Sequence, residues 1–257
     1  MNPLQIAVAL WTLVGKEIRR FTRIWPQTLL PPSITMTMYF IIFGSLIGSR
    51  IGEMSGFNYM DYIVPGLIMM SVITNSYSNV ASSFFSNKFQ RSVEEMMVSP
   101  MPNWVILSGF VIGGMARGLG VGVIVTIVSL FFTRLPVEHA LLTLLVVVMT
   151  ATLFSIGGFI NALVANKFDD ISIVPIFVLT PLTYLGGVFY SIDMLPAFWQ
   201  GVSMLNPILY MVNVFRYGFL GVSDIPVVAA LAAIAAFIVV FFIVGLWMLE
   251  RGKGIRQ

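Results

Sequence analysis

The sequence has no cysteine, a single histidine and few charged residues. Without cysteine there is no disulfide framework and no thiolate to hold a metal, and His139 alone does not make a histidine-rich metal site. Charged residues make up 10% of the 257 residues, against about 25% in soluble domains. Together with 58% hydrophobic residues and a mean hydropathy of +0.94, this composition predicts an integral membrane protein.

Motifs for nucleotide chemistry and for nucleophilic catalysis are also missing. The pairs Gly15-Lys16 and Gly252-Lys253 lack the remaining residues of a phosphate-binding loop, and Gly201-Val202-Ser203 does not continue into a nucleophile elbow. The net charge of +3 is spread beside apolar segments, so nucleic acid is not a predicted partner. We therefore predict no catalytic residue, no bound cofactor and no metal on this chain.

Seven stretches are almost free of charge, and they define the predicted spans. A transmembrane helix needs about 20 apolar residues, because the hydrocarbon core holds no water to satisfy the backbone. Pro196 and the pair Asn206-Pro207 divide one stretch into pieces of roughly ten residues, too short to span. We predict six spans within 26–249 and a re-entrant helical hairpin at 192–220. The stretches are 24–49, 62–87, 96–133 (interrupted by Arg117), 140–166, 171–192, 194–215 and 225–249.

Basic residues predict that both termini are cytoplasmic, which requires an even number of spans. With six spans, ten basic residues lie inside, including both terminal groups, and Arg117 remains in the membrane. The three outside are Arg50, Arg134 and Arg216. The fold class is therefore an all-α membrane protein with one domain, 1–257. The inside residues are Lys16, Arg19, Arg20, Arg23, Lys88, Arg91, Lys167, Arg251, Lys253 and Arg256.

The segment 1–25 predicts an amphipathic helix in the membrane interface. Its apolar residues recur at three- and four-residue steps, and the basic residues Lys16, Arg19, Arg20 and Arg23 fall on the other face. Such a helix places its basic face toward anionic headgroups. The alternative is a helix packed on a core. The apolar residues are Leu4, Ala7, Val8, Trp11, Val14, Ile18, Phe21 and Trp25.

The second span carries a polar stripe at helical spacing. Small hydroxyl and amide side chains join neighbouring helices; alternatively, they line a substrate path or a gate at a dimer seam. Asn75, Ser78, Asn79 and Ser82, with Thr180 and Thr183 of the fifth span, are the candidates for that path or seam. The stripe contains Ser71, Thr74, Asn75, Ser78, Asn79, Ser82 and Ser86.

Arg117 lies among glycines in the third span. A charge inside a membrane is costly, so Arg117 is a candidate functional residue; alternatively, it snorkels or caps carbonyls of a broken neighbouring helix. All eleven acidic residues lie outside the apolar stretches, which argues against coupling to an ion gradient. The glycines, at three overlapping four-residue steps that favour close packing, are Gly109, Gly113, Gly114, Gly118 and Gly122.

The segment 87–101, between the second and third spans, predicts a short amphipathic helix. Arg91 can pair with Glu95 at a four-residue step, and Pro100 ends the helix. One apolar and one charged face suit a groove on a partner protein; the alternative is a solvated helix lying on the membrane. The apolar face contains Phe89, Val93, Met96 and Met97.

Two motifs resemble the membrane subunits of ABC-2 exporters, which are ATP-binding-cassette transporters. Gln90–Pro100 is similar to the family's coupling helix, which would assign Phe89, Arg91, Glu94, Glu95 and Met97 to ATPase docking. The second motif, around the hairpin, begins at Gly186-Gly187. The order of interfacial helix, six spans and hairpin agrees with the family. The hairpin residues that carry the resemblance are Pro196, Trp199, Asn206, Pro207, Tyr210 and Arg216.

The resemblance implies a homodimer in the bacterial inner membrane with two separate ATPase subunits, which bind MgATP. It also implies export of a small, lipid-like or glycan substrate. Two other functions stay open from the residues alone: a gradient-driven transporter or channel that works by itself, and a membrane scaffold that transports nothing.

Overall fold

The computed structural model describes residues 1–252, except for the side chains of Ser45 and Ser49. The C-terminal residues Lys253, Arg256 and Gln257, predicted to be cytoplasmic, lie outside the described residues. The described part is all-α apart from one small hairpin. Its helices are α1 (Pro3–Arg23), α2 (Trp25–Thr28), α3 (Leu30–Tyr39), α4 (Gly48–Ile51), α5 (Tyr59–Phe89), α6 (Ser92–Val98), α7 (Asn103–Ser129), α8 (Ala140–Val164), α9 (Asp170–Val174), α10 (Thr180–Tyr184), α11 (Ala197–Met204), α12 (Pro207–Leu220) and α13 (Val227–Glu250).

The hairpin precedes α5, at the end of α5 opposite α6. Strands β1 (Glu53–Met54) and β2 (Phe57–Asn58) pair in antiparallel fashion. Ser55 and Gly56 between them both have positive φ, 51° and 82°, which suits a two-residue hairpin turn. No strand was predicted from the sequence, because two residues per strand give no detectable alternation.

Among the described residues, α7, α8 and α13 are long and apolar enough to cross a membrane by length and composition. α5 has 31 residues, or about 46 Å at 1.5 Å per residue, but its polar stripe lowers its hydropathy. These four helices correspond to four of the predicted spans. Helix α7 begins only at Asn103, after Pro100 and Pro102. Arg117 therefore lies near the middle of its helix.

The first predicted stretch, 24–49, divides into several helical segments. The short α2 turns the chain after α1, and the helix is then continuous from Leu30 to Ile51 through a π-helical segment, Phe40–Ile47. Pro31 lies in the first turn of α3, where a missing backbone N–H costs little. The predicted helix therefore begins at 30 and not at 24, and its crossing of a membrane stays a prediction.

The fifth predicted stretch, 171–192, is only partly helical. The helix runs from Asp170 to Tyr184, with a π-helical segment at Pro175–Leu179. Proline has no N–H for the regular ladder, which explains the irregularity. Fifteen residues reach about 22 Å, less than the hydrocarbon thickness of about 30 Å. The predicted full-length fifth span is thus a shorter helix followed by the turn at Gly186-Gly187.

The segment 192–220 forms two helices, as the proline positions predicted. Helix α11 has 8 residues and α12 has 14, and they are separated at Leu205 and Asn206. Asn206 caps α12 by accepting the N–H of Ile208 at 3.0 Å, and its amide donates to the carbonyl of Leu182. Helix α12 packs against α5, α8 and α13 and is largely buried. The break is confirmed; entry and exit on one side of a membrane stays a prediction.

Helix α5 is the central helix and packs against α7, α8 and α12. Glycines on two sides of α7 permit the close approach of α1 and α5, since a β-carbon at any of them would overlap the neighbouring helix. The predicted close packing of this helix is therefore confirmed. Gly109 and Gly113 contact Leu13 and Glu17 of α1, while Gly114 and Gly118 contact Val80 and Ser76 of α5.

Helix α1 packs along α7, reaches α5 through side-chain hydrogen bonds and buries one of its faces. The buried apolar residues are Leu13, Val14 and Phe21. Leu4, Val8 and Trp11 are exposed and form an apolar edge that suits a lipid interface. Arg20 departs from the predicted basic face, because it is half-buried and hydrogen-bonds to Asn79 of α5. Lys16 is exposed and also reaches α5, where it hydrogen-bonds to Asn87. Arg19 and Arg23 remain exposed.

Candidate functional site

Four polar residues of α5, spaced four apart, each contact a charged side chain of a neighbouring helix. We call these four residues, Asn75, Asn79, Ser83 and Asn87, the polar ladder. Three of the charged partners belong to α1 and one to α7. The bonds are Arg117 Nη2 to Asn75 Oδ1 (3.1 Å), Arg20 Nη2 to Asn79 Oδ1 (2.7 Å), Ser83 Oγ to Glu17 Oε2 (2.6 Å) and Lys16 Nζ to Asn87 Oδ1 (2.7 Å).

Glu17 is the acidic residue of this network and is fully buried. It accepts from Ser83 and forms an ion pair with Arg20, whose Nε lies 3.3 Å from Oε2. Its other oxygen, Oε1, is buried without a hydrogen-bond partner. The sequence analysis missed Glu17 and the ladder residues Ser83 and Asn87. The signal was the four-residue repeat on α5 opposite a charged helix, but Ser83 and Asn87 were not included in the stripe.

A cavity of about 340 Å³ opens between α3 and α5, beside Asn75, the first residue of the ladder. We call it the Arg117 cavity, because Arg117 reaches it from α7. Polar side chains of α5 form one wall, and α2 and α3 form the other. Its lining consists of Gln27, Pro31, Pro32, Thr35, Met36, Tyr39, Met70, Ser71, Thr74, Asn75, Ser78 and Arg117.

The structure divides the predicted pathway residues into two groups. Asn75 and Ser78 line the Arg117 cavity, in agreement with a lining role. Asn79 is fully buried against Arg20, so it joins helices and lines nothing. The remaining hydroxyls bond within their own helices: Ser82 to the carbonyl of Ser78, Thr180 to that of Pro175, and Thr183 to that of Leu179. Two of the six predicted residues therefore lie at one cavity, and a common path or dimer seam stays a prediction.

Arg117 is held by one neutral acceptor. Nη2 donates to Asn75, and Nε is buried without a partner. Its charged neighbour is Arg20, which carries the same sign. The described contacts show no backbone carbonyl bound by Arg117, so the alternative in which it caps a broken helix is not what the structure shows.

Arg216 is the arginine that caps carbonyls. It was counted on the outer side, within the predicted hairpin, and only 1% of it is exposed. Nε donates to the carbonyl of Tyr62 at 3.2 Å and Nη2 to that of Gly187 at 2.6 Å, and the guanidinium lies 3.8 Å from the centre of the Tyr62 ring. Arg216 therefore faces the protein interior, whereas Arg50 and Arg134 are exposed. The placement of these three arginines on the outer side stays a prediction.

Other predicted hairpin residues hold the break between α11 and α12. The hydroxyl of Tyr210 donates to the carbonyl of Met204 at 2.6 Å, which ties the end of α11 to α12. Pro207 occupies the first turn of α12 and Pro196 precedes α11. Trp199 is 45% exposed and packs edge-to-face on Phe198. The structure therefore gathers these residues around one break, while a lid function stays a prediction.

The predicted coupling helix is shorter than 87–101. Helix α6 covers Ser92–Val98, with Glu94 and Glu95 exposed, Val93 buried and Met97 partly buried. Arg91 precedes it in a left-handed conformation, φ 60°. Because Arg91 stands outside the helix, the predicted pair with Glu95 does not form in the described structure.

Phe89 does not belong to the apolar face of α6. It ends α5, is 67% exposed and packs against Phe85 and Phe168. Phe168 comes from the loop after α8. Lys88 beside it donates to the carbonyls of Ala162, Leu163 and Ala165, which end α8, so it caps that helix. The end of α5 is thereby fixed to the loop that leads into α9.

Asn87 connects the ladder to α6. Its Oδ1 accepts from Lys16 and, at 3.1 Å, from the hydroxyl of Ser92. A groove of about 490 Å³ lies between α1 and α6 beside this contact. A displacement of α6 would therefore act directly on Asn87. The groove is lined by Lys16, Asn87, Gln90, Ser92, Glu95, Met96 and Ser99.

Comparison with known proteins identifies the family. The ABC-2 type transporter profile matches residues 8–220. The chain is 60% identical over 250 residues to "Inner membrane transport permease YadH" of Escherichia coli (strain K12), covering 97% of this chain and 98% of that protein. It is 24% identical over 224 residues to "Nodulation protein J" of Rhizobium leguminosarum bv. trifolii, covering 83% and 82%. The chain therefore belongs to the ABC-2 type transporter family, as the coupling-helix and hairpin motifs predicted.

Proposed function

We propose that this chain is the permease subunit of an ABC-2 type exporter in the bacterial inner membrane. It works as a dimer with separate ATP-binding-cassette subunits, which bind and hydrolyse MgATP. Family membership and the likeness to a protein named an inner membrane transport permease support this proposal. Both termini are cytoplasmic, α1 borders the cytoplasmic interface, α6 is the coupling helix and α11–α12 form the outer re-entrant hairpin.

The observation that carries the proposal is the packing of α6, which has one buried side and one exposed charged side. Glu94 and Glu95 are exposed, while Val93 on the opposite side is fully buried. Such a helix presents its charged side chains to a partner while its buried side packs against the rest of the protein. Through Ser92 and Asn87 it adjoins the ladder, which ends at the Arg117 cavity. A displacement of α6 by an ATPase can therefore be transmitted through these contacts to a cavity between the helices.

The test is to reverse both acids, Glu94→Lys with Glu95→Lys, in the tagged full-length chain. We expect the purified complex to lose ATPase partner and substrate-stimulated hydrolysis, because the docking charge is inverted. The matched control is Glu53→Lys with Asp193→Lys, two exposed acids near the other end of α5. The chain alone is expected to hydrolyse no MgATP. Normal coupling in the α6 double variant would refute its role, and hydrolysis by the isolated chain would refute the wider proposal.

Glu17 favours a second candidate function, transport driven by an ion gradient. The sequence placed every acid outside the apolar stretches, yet Glu17 is buried and one of its oxygens has no partner. Buried carboxylates carry protons or ions in many transporters. The ion pair with Arg20 offers a structural role instead. Uptake or efflux by proteoliposomes that hold the chain and a proton gradient, without ATPase or ATP, would support the gradient-driven function and contradict the exporter.

A further inference from the structure

We propose that the Arg117 cavity binds the anionic head group of an amphiphile, a phosphate or carboxylate attached to an apolar chain. The inference rests on the proposed function, because it names the class of compound that the permease carries. Three observations lead to it: the charge balance around the ladder, the chemistry of the cavity lining, and the size of the cavity.

The charge balance around the ladder is positive. Lys16, Arg20 and Arg117 bond to it, and Glu17 is the acid that joins them. The carboxylate of Glu17 is already engaged by Arg20 and Ser83. Arg117 is half-buried, and its Nε is enclosed without a partner. Charges withdrawn from water are normally paired, yet in the described contacts Arg117 uses one of its five N–H donors, on a neutral amide. An anion near Arg117 would provide the pairing that the described residues do not.

The lining of the cavity suits an anion with an apolar chain. Its α5 wall offers the hydroxyls of Thr74 and Ser78 and one amide N–H of Asn75, while the Ser71 hydroxyl donates within α5 to the carbonyl of Leu67. The remaining lining is mostly apolar, including Met36 and the prolines of α3, and no carboxylate is among the described lining residues. A planar guanidinium binds phosphate and carboxylate through two parallel bonds. A cation would meet repulsion here, and a neutral sugar would leave the charge of Arg117 uncompensated.

The size of the cavity fits a head group and not a polymer. Ligand pockets span about 300–1,000 Å³, and the Arg117 cavity, at about 340 Å³, lies at the lower limit. Gln27, Thr35 and Thr74 in its lining are exposed, so it opens sideways between α3 and α5. An amphiphile can therefore place its head group at Arg117 while its chain remains along the outer surface of the helices.

The binding test uses the purified full-length chain and dodecyl phosphate as the probe, with affinity measured by tryptophan fluorescence. We expect saturable binding that Arg117→Gln weakens by about 10- to 100-fold, since a charged hydrogen-bonded pair is lost. Arg19→Gln, at an exposed arginine of α1, is the matched control and should bind like wild type. Dodecyl maltoside, which is uncharged, should not compete. Equal binding by Arg117→Gln, or full competition by the maltoside, would overturn the proposal.

A second variant keeps the test valid if Arg117→Gln folds poorly. Asn75→Asp preserves the shape of the side chain and places a carboxylate 3.1 Å from Arg117, so the chain supplies its own counter-ion. We expect this variant to melt no lower than wild type and to lose dodecyl phosphate binding by a similar factor. Undiminished binding by a folded Asn75→Asp chain would refute the site.

Two further measurements distinguish an amphiphile from free phosphate, and failure of the proposed substrate class from failure of the proposed exporter function. Inorganic phosphate at millimolar concentration should compete poorly, because it lacks the apolar chain; competition equal to that of dodecyl phosphate would refute an amphiphile site. Association with the ATPase partner is tested separately through the α6 double variant. If coupling holds and no anion binds, the proposed substrate class is wrong and the exporter stands. If anion binding holds without an ATPase partner, the exporter is wrong and the site stands.

Discussion

Replacing Arg216 by methionine should destabilise the protein strongly. Arg216 is fully buried and joins three elements, since it lies on α12 and binds the carbonyl of Tyr62 on α5 and that of Gly187 in the turn after α10. Methionine fills similar space but donates nothing, so the carbonyl of Gly187 would lose its donor from Arg216 and that of Tyr62 would keep only its place in the α5 helix.

The magnitude follows from the bonds that are lost. Each hydrogen bond from a charged donor contributes about 1.5–3 kcal/mol, and the guanidinium 3.8 Å above the Tyr62 ring adds up to about 2 kcal/mol. Methionine also removes the cost of burying a charge, which is several kcal/mol. We expect a net loss of about 2–4 kcal/mol, which for a chain of this size lowers Tm by roughly 4–16 °C.

The assay is thermal unfolding of the detergent-solubilised protein, followed by tryptophan fluorescence. Arg50→Met is the matched control, because Arg50 is exposed and its loss should change Tm by no more than about 2 °C. Arg216→Lys should fall between the two, since it keeps one charge but loses the fork that reaches both carbonyls. An Arg216→Met chain that melts with the Arg50→Met control would refute the role of Arg216 as the clamp of this region.

Two predictions concern packing and topology. Gly118→Ala should destabilise by about 1–3 kcal/mol through overpacking, because its β-carbon would overlap Ser76, whereas Gly120→Ala, which faces open space, should be tolerated in the same melting assay. Reporter fusions at Met54, His139 and Val222 should give an external signal, and a fusion at Gln257 should give a cytoplasmic one. An external signal at Gln257 would refute the even span count.

The candidate site was only half predictable from the sequence. Asn75, Ser78 and Arg117 stood out because polar residues are rare in apolar runs, and the structure brings all three to one cavity. Asn79 belonged to the same stripe by spacing but faces Arg20. Helical spacing tells which residues share a face, yet it does not tell whether that face meets a helix or a cavity. That depends on which neighbour packs there.

The sequence alone determined the helical class, the main spans, the glycine-packed helix and the break at Asn206-Pro207. These features are local: a bilayer requires long apolar helices, glycine permits close approach, and proline interrupts the backbone ladder. Only the tertiary structure decided that Arg216 is buried, that Glu17 enters the core and that α1 supplies the ladder's charges. Those contacts join residues far apart in the chain, such as Arg216 and Tyr62, 154 positions apart. No local pattern fixes such a pairing, because it forms only when whole helices pack side by side.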